Sequence, residues 1–265
     1  MLPRCVTLIL LLPAFHSARA DERLELVERS DWERFFHSQK VEGTIVIVDE
    51  RENADSMQIH NGERSTKGFS PASTFKIPHA LFALAAGIIR DEFEIIPWDG
   101  NDRSRAIWNR DQTLRSSMRH SVVWVYERFG TELGEKRERE YLEKTGYGNE
   151  APTGKAPFWI DGDLRISAVE QIEFLQKLYR NLLPFSVEHQ RLVKDVMIVE
   201  AGEDWIVRAK TGWERSDGGS AGWSVRQARS FSHAISTRHG EWTMWRSGWR
   251  FHVRFFSRWG RFQTD

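Results

Sequence analysis

Ser73 and Lys76 stand three residues apart in Ser73-Thr74-Phe75-Lys76, and Ser121-Val122-Val123 and Lys210-Thr211-Gly212 follow them in chain order. A hydroxyl is a weak nucleophile at neutral pH and needs a base within hydrogen-bond reach. Positions i and i+3 of a helix share a face, so Ser73 and Lys76 can form such a pair. The chemistry this permits is covalent acyl transfer. Alone the first motif is weak, because a serine and a lysine at this spacing arise by chance about once in a chain of this length. Ser73 after Pro71-Ala72 also reads as a plain helix N-cap, and Lys76 as a solvated helix lysine. Lys210-Thr211-Gly212 is rarer by chance and closes a strand-like run at 205–209, although a strand end with a glycine turn has the same look.

Order and spacing together carry more weight than any one part. A Ser-x-x-Lys, a serine motif and Lys-Thr-Gly make up the set found in penicillin-recognising enzymes. The chain resembles the class D serine β-lactamases, the oxacillinases: Ser73-Thr74-Phe75-Lys76 is similar to their nucleophile motif, Ser121-Val122-Val123 to the second motif, Tyr147-Gly148-Asn149 to a class D marker and Lys210-Thr211-Gly212 to the strand motif. Val123 distinguishes the class, since transpeptidases and class A enzymes usually carry asparagine there. Flanks such as 75–91 and 183–213 extend the similarity nearly continuously from about Ser30 to Glu214.

The resemblance implies a mechanism. Phe75, Val123, Trp159 and Ile160 match positions that form an apolar pocket around the lysine. Burial disfavours an ammonium, so Lys76 would be neutral often enough to combine with carbon dioxide as a carbamate. That group is the family's general base, and Trp159 is expected to hold it by a hydrogen bond. The same pocket residues read equally well as plain core. By resemblance, the backbone N–H groups of Ser73 and Trp213 form the oxyanion site, and Thr211 and Gly212 line the substrate site. Ser121 relays a proton to the leaving nitrogen, and Lys210 supplies positive potential. Carbon dioxide at Lys76 is the only cofactor-like species inferred. His37, His60, His79, His120 and His189 show no metal-ligand spacing.

The elements that must position these residues follow from pattern. Strands are expected at 43–48 and 57–60 around a polar turn at 49–53, and at 205–210. Helices are expected at 74–86, 112–119, 122–129 and 133–144, and from a Ser167-Ala168-Val169-Glu170 capping box to Arg180. A last one opens at Ser186 and runs through Ile198. Pattern alone gives a mixture of α and β. The resemblance sharpens this to an α+β fold, an antiparallel sheet flanked by helices and joined to a helical domain.

Residues 1–20 read as a signal peptide: Arg4 precedes an apolar core at 6–15, and Ala18-Arg19-Ala20 has the small-x-small cleavage pattern. The expectation is an exported, periplasmic protein without a stable membrane anchor. Cys5, the only cysteine, falls inside that segment, so the mature chain has no disulfide. Lysine plus arginine equals aspartate plus glutamate at 38 each, which argues against a nucleic-acid partner. A small-molecule β-lactam is the partner that the resemblance implies, and the sequence sets no oligomeric state.

The texture changes after the third motif. Residues 215–265 contain no lysine or leucine, nine arginines, eight serines and the tryptophans Trp223, Trp242, Trp245, Trp249 and Trp259. Strand periodicity surfaces briefly at 251–256. The family's two further strands, its carboxylate-binding arginine and its closing helix are not recognisable here, and the composition looks like translation of a shifted reading frame. The domain is therefore expected to span 21–214, with an aberrant tail at 215–265 and a sheet left incomplete at its C-terminal end. A chain so built would fold poorly, an expectation that a cooperative thermal transition contradicts. Three functions stay open: a β-lactam hydrolase, a sensor that is acylated without turnover, and an inactive product. Val123 argues against a transpeptidase.

Overall fold

The computed structural model describes residues 24–38, 41–49, 56–203, 206–216, 219–228, 231–237, 241–247 and 250–256, with side-chain burial described as far as residue 213. The signal peptide and Cys5 lie outside the described residues, as does most of the expected turn at 49–53. Strand β1 (Glu25–Glu28) leads to helix α1 (Glu33–His37) and then to strands β2 (Gly43–Asp49) and β3 (Ser56–His60). Seven helices are described in all; the others are α2 (Gly62–Thr66), α3 (Lys76–Ala85), α4 (Leu114–Arg119), α5 (Val123–Thr145), α6 (Ala168–Tyr179) and α7 (Val187–Val196). Strands β4 (Ile198–Ala201), β5 (Ile206–Ser216), β6 (Gly219–Ala228), β7 (Phe231–Thr237), β8 (Glu241–Ser247) and β9 (Arg250–Phe256) complete the order. Among the described residues no helix is long and apolar enough to cross a membrane.

Local chemistry sets the helix boundaries. The Ser167 capping box forms as expected, with Ser167 Oγ accepting from Glu170 N at 3.2 Å and Ser167 N donating to Glu170 Oε2 at 2.7 Å. Ser186 caps α7 by accepting from His189 N. The two helices expected at 122–129 and 133–144 are both present within α5, where they meet at a kink at Gly134, whose φ of 72° is outside the helical region. Helix α3 is buried along most of its length, from Lys76 to Leu84. A helix apolar on nearly every face can only be central, and α3 runs through the main core.

The sheet has seven strands in the order β1-β3-β2-β7-β6-β5-β4, antiparallel except that β1 runs parallel to β3. Side chains alternate across β2: Val46 and Val48 join the main core, while Ile45 and Ile47 pack with Trp32 and Phe36 on the opposite face.

The sheet corrects the expectation of an incomplete C-terminal end. Strand β7 pairs with β2 from Gly43↔Thr237 to Asp49↔Phe231, and β6 pairs with β5 from Val207↔Ala228 to Ser216↔Gly219. The expected domain end at Glu214 thus falls inside β5. The reason is that ladder pairing is a backbone property. Without partners, β2 and β5 would carry rows of unsatisfied N–H and C=O groups, and a segment with only weak side-chain alternation can still meet them. Strands β8 and β9 pair antiparallel in a separate two-stranded sheet where a closing helix was expected, and β9 coincides with the brief periodicity at 251–256.

Candidate active site

Ser73 lies in a single 3₁₀ turn, Ala72–Phe75, that runs directly into α3, and it makes no capping bond. The N-cap reading of this serine is therefore set aside by the geometry. Ala72, just before it, has φ 47°, a left-handed conformation that costs an alanine about 1–3 kcal/mol. The surroundings hold it there. Ala72 N donates to Trp159 O at 2.9 Å, and Ser70 Oγ donates to the carbonyls of Trp159 and Ile160 at 3.0 Å each. The segment carrying Trp159 and Ile160 thus fixes the backbone from which Ser73 projects.

Lys76 is fully buried, and its Nζ donates to Ser73 Oγ at 3.0 Å. Burial, and then the positive charge of Lys210, hold its ammonium well below the usual 10.5. Buried Phe75 stacks on Trp159 with ring centroids 5.6 Å apart. Trp159 Nε1 is buried without a hydrogen-bond partner. Half-buried Val123 opens α5, and Ile160 is half-buried beside Trp159. Sequence reasoning missed Tyr126: its buried ring lies 5.1 Å from Lys76 Nζ, and its position one helical turn after Val123 was the available signal.

Strand β5 brings the third motif to the nucleophile turn. Gly212 is the closest approach, since a Cβ built there would lie 2.8 Å from Pro71 O and 3.2 Å from Thr74 N. Strand β4 pairs with β5 only over Ile206–Arg208, so beyond Ala209 the described ladders leave this edge of β5 free beside Ser73. Lys210 is buried on it, with Nζ donating to Thr211 O at 2.8 Å, while Thr211 and Trp213 are exposed. Ser121 sits between α4 and α5 with φ 54°, another non-glycine residue in the left-handed region.

The sequence from residue 40 to 236 matches the family described as penicillin binding protein transpeptidase domain. Over 198 residues the chain is 59% identical to the β-lactamase OXA-15 of Pseudomonas aeruginosa, covering 74% of this chain and 72% of the relative. It is 44% identical over 202 residues to β-lactamase OXA-48 of Klebsiella pneumoniae, covering 76% of each. The chain belongs to the class D β-lactamases. The backbone agrees: the class D β-lactamase FUS-1 of Fusobacterium nucleatum superposes with a TM-score of 0.76 at 33% identity, covering 81% of this chain and 90% of that one. A class D β-lactamase of Nostoc gives 0.73 at 36% identity, covering 78% and 88%.

In this class D β-lactamase the Tyr147-Gly148-Asn149 marker works as a clasp. Gln171 Nε2 donates both to Tyr147 Oη at 3.0 Å and to Thr74 Oγ1 at 2.9 Å, tying the marker to the nucleophile turn. Asn149 Nδ2 donates to Asp163 O at 2.8 Å, and Arg165 N donates to Asn149 Oδ1 at 2.8 Å. Gly148 has φ 58°, and a Cβ there would lie 1.9 Å from Arg165 O, so only glycine lets the two segments meet. The clasp secures the chain just after Trp159 and Ile160.

Proposed function

We propose that this chain opens the ring of penicillin-type β-lactams through an acyl-enzyme on Ser73, with Lys76 as the base that activates it. The observation that carries this reading is the 3.0 Å contact between Ser73 Oγ and a fully buried Lys76 whose ammonium is disfavoured. A neutral amine in an apolar pocket suits carbon dioxide, and the unpartnered Nε1 of Trp159 is a donor of the kind such a group needs. Attached to Lys76, carbon dioxide would supply a carboxylate able to accept protons from Ser73 and from water. Phe75, Val123, Trp159 and Ile160 keep that space apolar.

The remaining steps use this chain's own groups. Ser73 Oγ bonds to the lactam carbonyl carbon as it loses its proton, and the N–H groups of Ser73 and Trp213 stabilise the oxyanion. The ring C–N bond then breaks, and Ser121 passes a proton to the departing nitrogen. Lys210 provides positive potential toward that nitrogen and the substrate carboxylate, while Thr211 and Gly212 form the edge along which the substrate lies. Water then cleaves the ester and releases Ser73 with the ring-opened acid. The leader-like sequence at 1–20 supports a periplasmic location.

Hydrolysis of a chromogenic β-lactam by purified residues 21–265, with and without added bicarbonate, tests the reading. Turnover that rises with bicarbonate is expected. Stoichiometric labelling of Ser73 without turnover would instead identify an acyl-trapping sensor, and an unlabelled Ser73 an inactive product.

Gly212→Ala is expected to lower kcat/KM about 100-fold, since misplacement by about an ångström is costly at a reacting centre. The added methyl meets backbone atoms of Pro71 and Thr74, so the strand must withdraw from Ser73. A variant with the parental kcat/KM would refute this account of the Gly212 contact.

A further inference from the structure

Behind Trp159 lies a buried polar pair that the steps at Ser73 do not use. His79 on α3 and Glu138 on α5 approach to 2.6 Å between Nε2 and Oε1, with the two side chains 0% and 2% exposed. Nε2 and Oε1 lie within hydrogen-bond reach of each other, and no other polar partner is described for either side chain. Burying two such groups costs free energy that apolar residues of the same size would not incur.

Their place in the fold indicates a use. His79 follows Lys76 by three residues on α3, which puts the two side chains on one face. Its ring meets the Trp159 indole edge-to-face at a centroid distance of 5.0 Å and an interplanar angle of 66°, while Phe75 stacks on the same indole at 27°. The three groups converge at Gly130, where a Cβ would lie 3.6 Å from Glu138 Oε1, from His79 Cε1 and from Trp159 Cζ3 alike. Glycine leaves the room that the carboxylate and the two rings share.

We propose that Glu138 and His79 are positioning residues: Glu138 fixes the His79 imidazole, and His79 with Phe75 fixes the Trp159 indole so that Nε1 is presented toward Lys76. The proposal rests on the reading of Lys76 as a carbon dioxide acceptor, and it concerns what makes that acceptance effective. Without its carboxylate the imidazole keeps its ring contacts but loses the group 2.6 Å from Nε2 that sets its orientation, and the indole edge packed on it is then held less firmly. Nothing in the proposal requires either residue to touch substrate.

The test compares the parent with Glu138→Ala and Glu138→Gln, all as 21–265. Carboxylation of Lys76 is followed by the carbon-13 signal that appears on titration with labelled bicarbonate, alongside kcat at limiting and saturating bicarbonate. Glu138→Ala is expected to need about tenfold more bicarbonate for half-carboxylation, the scale of coupling between groups in contact. Saturating bicarbonate should restore most of its kcat. Glu138→Gln, which keeps an acceptor near His79, should shift less, and it carries the test alone if the alanine variant does not fold.

A midpoint equal to the parent's in the folded variants would overturn the proposal. So would a loss of kcat that saturating bicarbonate leaves unrestored, which would assign the pair to core packing. A parent with no carbon-13 signal would fail the reading of Lys76 itself, a result distinct from either.

Discussion

Lys76→Ala is expected to lower β-lactam turnover about 10²–10⁴-fold, the usual contribution of a positioned general base. The loss should fall most heavily on release of the acyl group. Ser73 would still be labelled stoichiometrically, while the ester persists because no base activates the incoming water. The reason lies in the setting of Lys76: it is fully buried, the Tyr126 ring lies 5.1 Å from its amine, and that amine is directed at Ser73 Oγ. Burst kinetics with a chromogenic β-lactam check this, and a steady-state rate equal to the parent's would overturn the role given to Lys76.

The same substitution should remove a pH effect on stability. Burial, followed by the charge of Lys210, lowers the folded-state ammonium well below 10.5, whereas the unfolded chain protonates normally. Between the lowered value and 10.5 the unfolded state binds more protons, so this group makes stability rise with pH across that window. In buffer freed of carbon dioxide, denaturation midpoints of the parent should climb with pH more steeply than those of Lys76→Ala.

Ending the chain at Ser216 is expected to abolish cooperative folding. The truncation takes β6 from β5 and β7 from β2, and β7 lies between β2 and β6 in the middle of the sheet. Strand β2 is buried on both faces, so its freed N–H and C=O groups would have little access to water. Each such group costs about 1–3 kcal/mol, and a row of them exceeds the 5–15 kcal/mol by which a domain is usually stable. A calorimetric melt of residues 21–216 should show no sharp transition where 21–265 does. A finer probe is Ala234→Pro in β7, opposite Val46 and Val225, where proline removes a ladder donor from a strand paired on both sides. If the truncated chain melts cooperatively at the parental temperature, the tail strands are dispensable.

The α helices and the motifs were legible because their signals are local. Ser167 and Glu170 name a helix start through bonds within one turn, and they make them. Lys76 could be paired with Ser73 because helical spacing alone brings them together. Gly148 and Gly212 could be noted as glycines, but not why each is one. Their reasons, Arg165 O and Pro71 O, come from other parts of the chain.

The places of β6 and β7 were illegible for a related reason. Side-chain alternation at 219–237 is weak, and what recruits those strands is the hydrogen-bonding capacity of β2 and β5. Glu138 was hidden too, since a glutamate on a helix rich in Glu, Lys and Arg reads as solvated until the fold buries it against His79. By itself the sequence determined the family, the order of the motifs, most helix starts and the Ser73–Lys76 pair. Only the tertiary structure decided the closure of the sheet, the strained turn at Ala72, the isolation of Lys76 from water and the polar pair behind Trp159. These depend on contacts between residues far apart in the chain, and neither spacing nor composition encodes which distant surfaces will meet.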